Sequence, residues 1–487
     1  MMQRIQPGRI LKGATALALS FTVSAWAAPA TVDVREVEGS DTPPDAARAE
    51  EAGDLGPHPT ARRVEIGGPL GVAPPSSNAD STGEAGSLGG PGLAIRAGKI
   101  LTAEWQGRSV VNNGVILVKD GVIEAVGGAR EIEIPEGYEL RDVGEDWLMP
   151  GLVELHCHVA GAFGLNDTVF LTNPGIRASA DVTPGNSLLR RGLAAGVTTV
   201  LYIPGSGTNI GGQGVLLRTG FDEYERCELR NPGSMKLAQA GNPERWMLRP
   251  NRSLMNWHTR NTFKRGIAYA KQWEEYEETG QNKPDIQPQW EIFRALRKNH
   301  AQVSTHTQIY QVVHATLTMI HDELGIPVFI DHGTFDSWRI GKEVEKREIF
   351  AIVGPRAIDV PTAGFIRFSG SNPERIQGCA AGYQENGVTR IGFNTDSPVI
   401  PQEELQLQAG MGVRYGMDNS NMDAVRGLTI VPAMSCGLGD AIGSIEVGKI
   451  ADILVITGDP ADPRSHVKHV WQSGESVYRT ESSRRLW

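Results

Sequence analysis

Across the middle of the chain, short apolar runs of strand character alternate with helical stretches, and this alternation limits the available folds more than any other feature. The strand-like runs are Leu152 to Leu155, Val197 to Ile203, Gln302 to Thr305, Val328 to Ile330, Phe350 to Val353 and Thr389 to Phe393. Helices are read over Asn261 to Glu278, Ile309 to Leu324 and Ile340 to Lys346. Strands that alternate with helices over roughly 290 residues pair in parallel through crossover helices. The expected class is α/β, a (β/α)8 TIM-like barrel, with a doubly wound sheet as the alternative. The 487 residues leave room for a barrel of ~250 residues and something smaller.

The smaller part is read at both chain ends. Ala94 to Leu101 is a strand, and Asn113 to Val118 and Val122 to Val126 flank the turn Lys119-Asp120-Gly121. Asp-Gly between two β-branched runs is a strong hairpin signal. The same texture returns at Ala451 to Ile456 and in a hairpin from Val467 to Tyr478 around Ser473-Gly474. A small β-sandwich domain built from 93–149 and 444–483 is therefore expected, with the barrel over 150–443.

Arg4, Arg9 and Lys12 precede an apolar run from Ala14 to Val23 and the small-residue pattern Ala25-Trp26-Ala27. This reads as a signal peptide over 1–27 and an exported, periplasmic or secreted product. The run is shorter than the ~20 residues of a spanning helix, so no membrane span is expected after cleavage. Residues 28–92, rich in Pro, Gly, Ser, Ala and acids, read as a disordered leader, with an arm wrapping a partner subunit as the alternative. Lys plus Arg at 47 against Asp plus Glu at 57 gives a net charge of -10, which excludes a phosphate backbone as a natural partner. The expected partners are a small-molecule or short-peptide substrate and, at most, further copies of the chain in a homo-oligomer. Cys157, Cys227, Cys379 and Cys436 are read as free buried thiols, because a chain of this size needs no disulfide framework.

The chemistry sits where the strands end. Leu152 to Leu155 runs into His156-Cys157-His158, and alternation along a strand turns both histidines to one side and Cys157 to the other. His306 follows Gln302 to Thr305, His332 follows Val328 to Asp331, and Asp396 follows Ile391 to Thr395. In a parallel barrel all strands finish at one face, so these five residues converge there as candidate metal ligands. Tyr202 and Tyr310, at or just past strand ends, are candidate oxyanion donors, and Arg218, Arg245 and Arg356 are candidates for a substrate carboxylate. Gly205 to Gly214 lacks the Lys-Ser/Thr ending of a phosphate loop and is read as a flexible rim loop lining the pocket.

The run Leu148-Met149-Pro150-Gly151-Leu152-Val153-Glu154-Leu155-His156-Cys157-His158 resembles the first-strand signature of the amidohydrolase superfamily. Ile442 to Asp452 resembles the return of such enzymes into their small β domain, and the likeness, over Leu93 to Tyr478, is greatest to the imidazolonepropionase-like and prolidase-like branch. The resemblance implies His156, His158 and Asp396 on a first divalent ion and His306 and His332 on a second, with zinc the expected metal. It also implies a carboxylated bridging lysine at Lys236, within Lys236-Leu237-Ala238-Gln239-Ala240-Gly241-Asn242-Pro243. That stretch departs from the branch pattern at Ala240 and Gly241, where Gly and Glu are expected, and a solvated lysine near a loop is the alternative for Lys236. The implied activity is hydrolysis of an amide, peptide or lactam C–N bond by a metal-activated hydroxide, with Asp396 as general acid/base. A mononuclear deaminase is the nearest rival, but no carboxylate follows His306 within Thr307 to Tyr310. A non-catalytic exported metal- or ligand-binding protein is the other alternative.

Overall fold

The computed structural model describes residues 92–483 except 163–164, 246–248, 356–357 and 371–375. The signal segment, the leader up to residue 91, and Arg356 lie outside the described residues. All described residues belong to one compact unit, Val64–Trp487.

The chain opens with β1 (Leu93–Leu101), β2 (Val110–Lys119), β3 (Val122–Gly128), β4 (Glu139–Asp142) and β5 (Trp147–Pro150). The barrel follows as β6 (Leu152–Cys157), β7 (Val197–Tyr202), β8 (Ile210–Arg218), β9 (Glu228–Ala238), β10 (Gln302–Thr307), β11 (Val328–His332) and β12 (Ala351–Val353). A two-stranded ribbon, β13 (Ile358–Asp359) with β14 (Gln377–Gly378), precedes the last barrel strand, β15 (Ile391–Phe393). The C-terminal part adds β16 (Ile453–Ile456), β17 (Val467–Gln472) and β18 (Glu475–Arg479).

Both chain ends join in one eight-stranded sheet, in which β5 pairs antiparallel with β16 and parallel with β1. Asp120 and Gly121, at φ 48° and 79°, make the left-handed turn that the Asp-Gly pair favours, and Lys119 faces Val122 across it. The expected sandwich is corrected to this extent: the ends form a single hydrogen-bonded sheet, because β5 and β16 knit the two halves edge to edge. Its buried face gathers Ile95, Ile100, Ile116, Leu148, Ile453 and Trp471 in one apolar cluster.

The second sheet runs β15-β12-β11-β10-β9-β8-β7-β6. Cys157 bridges to Ser397 in parallel, and the His158 amide donates to the Ser397 carbonyl at 2.9 Å, bringing the two edge strands together. The expected all-parallel barrel is corrected at its third strand: β8 is antiparallel to both β7 and β9. The segment read as a rim loop thus enters a strand buried from Ile210 to Leu217, because pairing on both sides overrides the flexibility of its glycines. Reversal of β8 carries Arg218 to the end opposite the strand C-termini, opposite Thr199 in register, and removes it from the expected carboxylate role.

The helix after β9 is longer than its sequence pattern suggests, Arg252–Thr279, because Asn251 caps it by accepting from the Leu254 amide at 2.8 Å. Gly280 ends it in the left-handed region. Cys157, Cys227, Cys379 and Cys436 are free and buried, as expected.

Where the small sheet meets the barrel, Asp452 accepts from the Ser473 amide at 2.8 Å through Oδ1, while its buried Oδ2 has no hydrogen-bond partner among the described residues. Burial pushes its carboxyl up to about 6. A carboxyl raised above its unfolded value contributes stability that is complete below about pH 4 and lost as pH rises through about 6. Asp452→Asn keeps the acceptor and removes the charge. The stability difference between variant and parent is expected to move in the variant's favour by up to about 3 kcal/mol from pH 4 to pH 8, read from denaturant unfolding at both values. A difference independent of pH would refute this role.

Candidate metal centre

The converging strand ends bring His156, His158, Lys236, His306, His332 and Asp396 into one cluster. His156 and His158 share a side of β6 and its extension, with their Nε2 atoms 3.0 Å apart. Asp396 Oδ1 lies 2.9 Å from His156 Nε2 and 3.4 Å from His158 Nε2, and Asp396 Oδ2 lies 4.0 Å from His332 Nε2. His332 Nε2 stands 2.7 Å from His306 Nδ1. His158 and His332 are oriented through their Nδ1 atoms by the carbonyls of Ile203 and Gly354, at 2.8 and 2.9 Å. A carbonyl on Nδ1 fixes the tautomer that leaves Nε2 free to ligate. His332 and Asp396 leave their strands at φ 76° and 50°. Left-handed backbone is uncommon for such residues and concentrates at functional sites.

Lys236, on β9, is wholly buried, so the solvated-lysine alternative does not hold. Its Nζ is 3.4 Å from both His156 Nε2 and Asp331 Oδ2. Burial lowers its pKa, although Asp331 and Asp396 oppose the shift.

Two buried carboxyl groups on the histidine-bearing strands, Asp331 and Glu154, join the cluster beyond the residues expected from sequence. Asp331 Oδ2 is 2.7 Å from His156 Nδ1. Burial works against its ionised form, but His156 and Lys236 outweigh burial and hold it below the usual carboxylate range. Burial likewise opposes protonation of His156, yet Asp331 and Asp396 raise it to about 9. Glu154 shares the β6 face with His156 and accepts from the Thr395 hydroxyl at 2.8 Å and the Thr395 amide at 3.1 Å. Burial still pushes it up to about 8, so at neutral pH Glu154 keeps its proton. A carboxylate inside an otherwise apolar barrel strand was the available signal for both.

The other candidates lie outside the cluster. The Tyr202 hydroxyl donates to Asp181 at 2.9 Å and its ring is fully buried, which withdraws it from an oxyanion role. Tyr310 sets its ring against Arg339, 5.3 Å from ring centre to guanidinium, and stacks on His314. Arg245 is exposed, lies over Phe368 at 5.9 Å, and has no ion pair among the described residues. A Cβ at Gly241 would stand 3.5 Å from His306 Nε2 and 3.9 Å from Phe368. The missing side chain there opens the space beside His306.

Among the described residues two groups have ligand atoms within 4.8 Å of one another: His156, His158 and Asp396, and His156, Asp331 and His332. Imidazole with carboxylate is the donor set of zinc and similar divalent ions. His306 Nε2 is buried with no hydrogen-bond partner among the described residues, as a nitrogen reserved for an ion would be. The residues present therefore fit a metal centre.

A model of the Amidohydrolase family matches residues 369–478. A solved amidohydrolase from Thermotoga maritima, 27% identical, covers 80% of this chain and 100% of its own length with a TM-score of 0.69. In the matched segment and in fold the chain is thus similar to amidohydrolases. An amidohydrolase of Hapsidospora irregularis is 24% identical over an alignment of 421 residues that covers 77% of this chain and 40% of that relative, so the chain spans less than half of the relative's length. A solved Xaa-Pro dipeptidase, 16% identical over 80% of this chain and 100% of its own, has a TM-score of 0.50, a likeness of fold. Amidohydrolases are hydrolases acting on C–N bonds, typically with metal.

Proposed function

We propose that the chain is an exported, metal-dependent hydrolase of the prolidase-like and imidazolonepropionase-like kind, opening an amide, peptide or lactam C–N bond. The observation that carries this reading is Lys236, a fully buried amine among the histidines and aspartates at the strand ends. A lysine is almost never fully buried unless paired, and here the pairing carboxylate, Asp331, is itself bound to His156, so the amine sits inside the histidine cluster and not in a separate ion pair. A neutral amine adds to carbon dioxide, loses a proton and becomes a carbamate, the anionic oxygen ligand that two neighbouring cations require.

In this reading His156, His158 and Asp396 would hold one ion, His306 and His332 would hold the other, and Lys236, if carboxylated, would supply anionic oxygen to the pair. When bound, the ions, zinc the expected metal, supply Lewis acidity, acidifying a water and drawing electron density from the substrate carbonyl. Asp396, ionised and at the open end of the cluster, accepts the proton of the attacking water and hands it to the leaving nitrogen as the C–N bond breaks. Asp331 positions His156 through Nδ1. Arg245 beside Phe368 suits a substrate carboxylate, which favours short peptides or N-acyl amino acids.

The test is a screen of metal-loaded protein against dipeptides, N-acyl amino acids and lactams. The expected result is release of free amine or ring opening in at least one class, abolished by a chelator and restored by the ion. A folded, metal-loaded protein inert on all three classes would overturn the proposal.

A further inference from the structure

A second cavity, of about 490 Å³, lies at the other end of the barrel from the metal centre. Arg390 and Ile391, at the start of β15, line it, whereas the C-terminal end of the same strand leads to Asp396. Its volume falls within the ~300–1,000 Å³ range of small-molecule sites. Trp105, from the connection between β1 and β2, forms one wall, with Met417 and Val388 supplying further apolar surface.

Its charged groups are arranged in an unusual way. Arg426 is 4% exposed, and its guanidinium donates to the Glu104 carbonyl at 3.1 Å, the Asn421 carbonyl at 2.8 Å and the Ser109 hydroxyl at 3.0 Å. All three acceptors are neutral, and among the described residues no carboxylate stands within ion-pair distance of this buried cation, although Asp423, three residues earlier on the same helix, is near enough to feel its charge. Asp423, on the same lining, accepts from Gln384 Nε2 at 3.1 Å, and no ion pair joins it to Arg426 among the described residues. Arg390, in contrast, is neutralised by Glu345 at 3.2 Å and Glu348 at 3.3 Å. One cation and one anion, three residues apart on one helix, are thus each hydrogen-bonded by neutral partners and not by each other, beside an indole and a thioether. A buried charge is unfavourable until an opposite charge meets it, and a guanidinium fits a carboxylate in particular.

We propose that this cavity binds a free amino acid with an apolar side chain. Its α-carboxylate meets Arg426, its ammonium meets Asp423, and its side chain packs on Trp105, Met417 and Val388. A phosphate-bearing ligand does not fit, because Asp423 would repel its multiple negative charge while Arg390 is already paired. The inference is independent of what the metal centre hydrolyses.

The test is equilibrium dialysis of the full metal-loaded chain with L-leucine and L-phenylalanine, each compared with its N-acetyl and amide derivatives. Saturable binding of at least one free amino acid is expected, weakened about tenfold or more by loss of either charge. The same loss is expected in Asp423→Asn and in Trp105→Ala, each checked for an unchanged unfolding midpoint, whereas Asp396→Asn should bind as the parent does. Trp105→Ala serves alone if Asp423→Asn does not fold, since Trp105 lies on a half-buried loop. No saturable binding of either amino acid overturns the proposal. So does binding that survives in the folded cavity variants but is lost in Asp396→Asn, which would place the ligand at the metal centre.

Discussion

Lys236→Ala is expected to lower bound metal from two ions per chain towards one or none, and to reduce turnover by on the order of 10³-fold or more. Two divalent ions a few Å apart repel strongly unless anionic oxygen lies between them, and neither an ammonium nor a methyl group can supply it. The vacated space is enclosed, since Lys236 is fully buried between His156 and Asp331. Added acetate or propionate is therefore expected to occupy it and restore part of both metal content and rate. The substitution takes one of its two cationic neighbours from the buried Asp331 and leaves a cavity, so an unfolding midpoint is measured first and metal is counted on the folded variant. Full metal content with a normal rate would show that the lysine takes no part in ligation.

Asp396→Asn is expected to abolish turnover while much of the metal stays bound. The amide keeps the shape of the carboxylate and its position near His156 and His158, but it cannot take a proton from water. General acid-base help is usually credited with ~10²- to 10⁴-fold, and the loss should exceed this because an anionic ligand disappears together with the base. Steady-state kinetics beside metal analysis separate the two effects. A variant within a few-fold of the parent rate would remove Asp396 from the mechanism.

The strand ends were legible because their physics is local. An apolar run ending in His-x-His fixes the side to which both imidazoles point, and parallel strands that end at one face bring His306, His332 and Asp396 to meet them. The joining of the chain ends was legible in the hairpin chemistry of Asp120-Gly121 and Ser473-Gly474, each turning at positive φ. The antiparallel β8 was not, because a glycine-rich segment carries no periodicity and its strand state is set by neighbours on both sides. Asp331 was hidden by its position beside His332, where simple alternation turns it away from the cluster. Glu154, two residues before His156, was readable by the rule that paired the histidines. Tyr202 and Tyr310 were misplaced because strand position alone does not show whether a hydroxyl already has a partner such as Asp181. The cavity beneath β15 left no sequence signal, since its walls come from three separated segments.

The central claim, a two-ion centre built on His156, His158, Lys236, His306, His332 and Asp396, is tested most directly by elemental analysis of the chain purified without chelator. Two divalent ions per chain, zinc or a close relative, are predicted, falling by at least one in Lys236→Ala. A folded parent chain that carries no stoichiometric transition metal, even after incubation with zinc, would contradict the account.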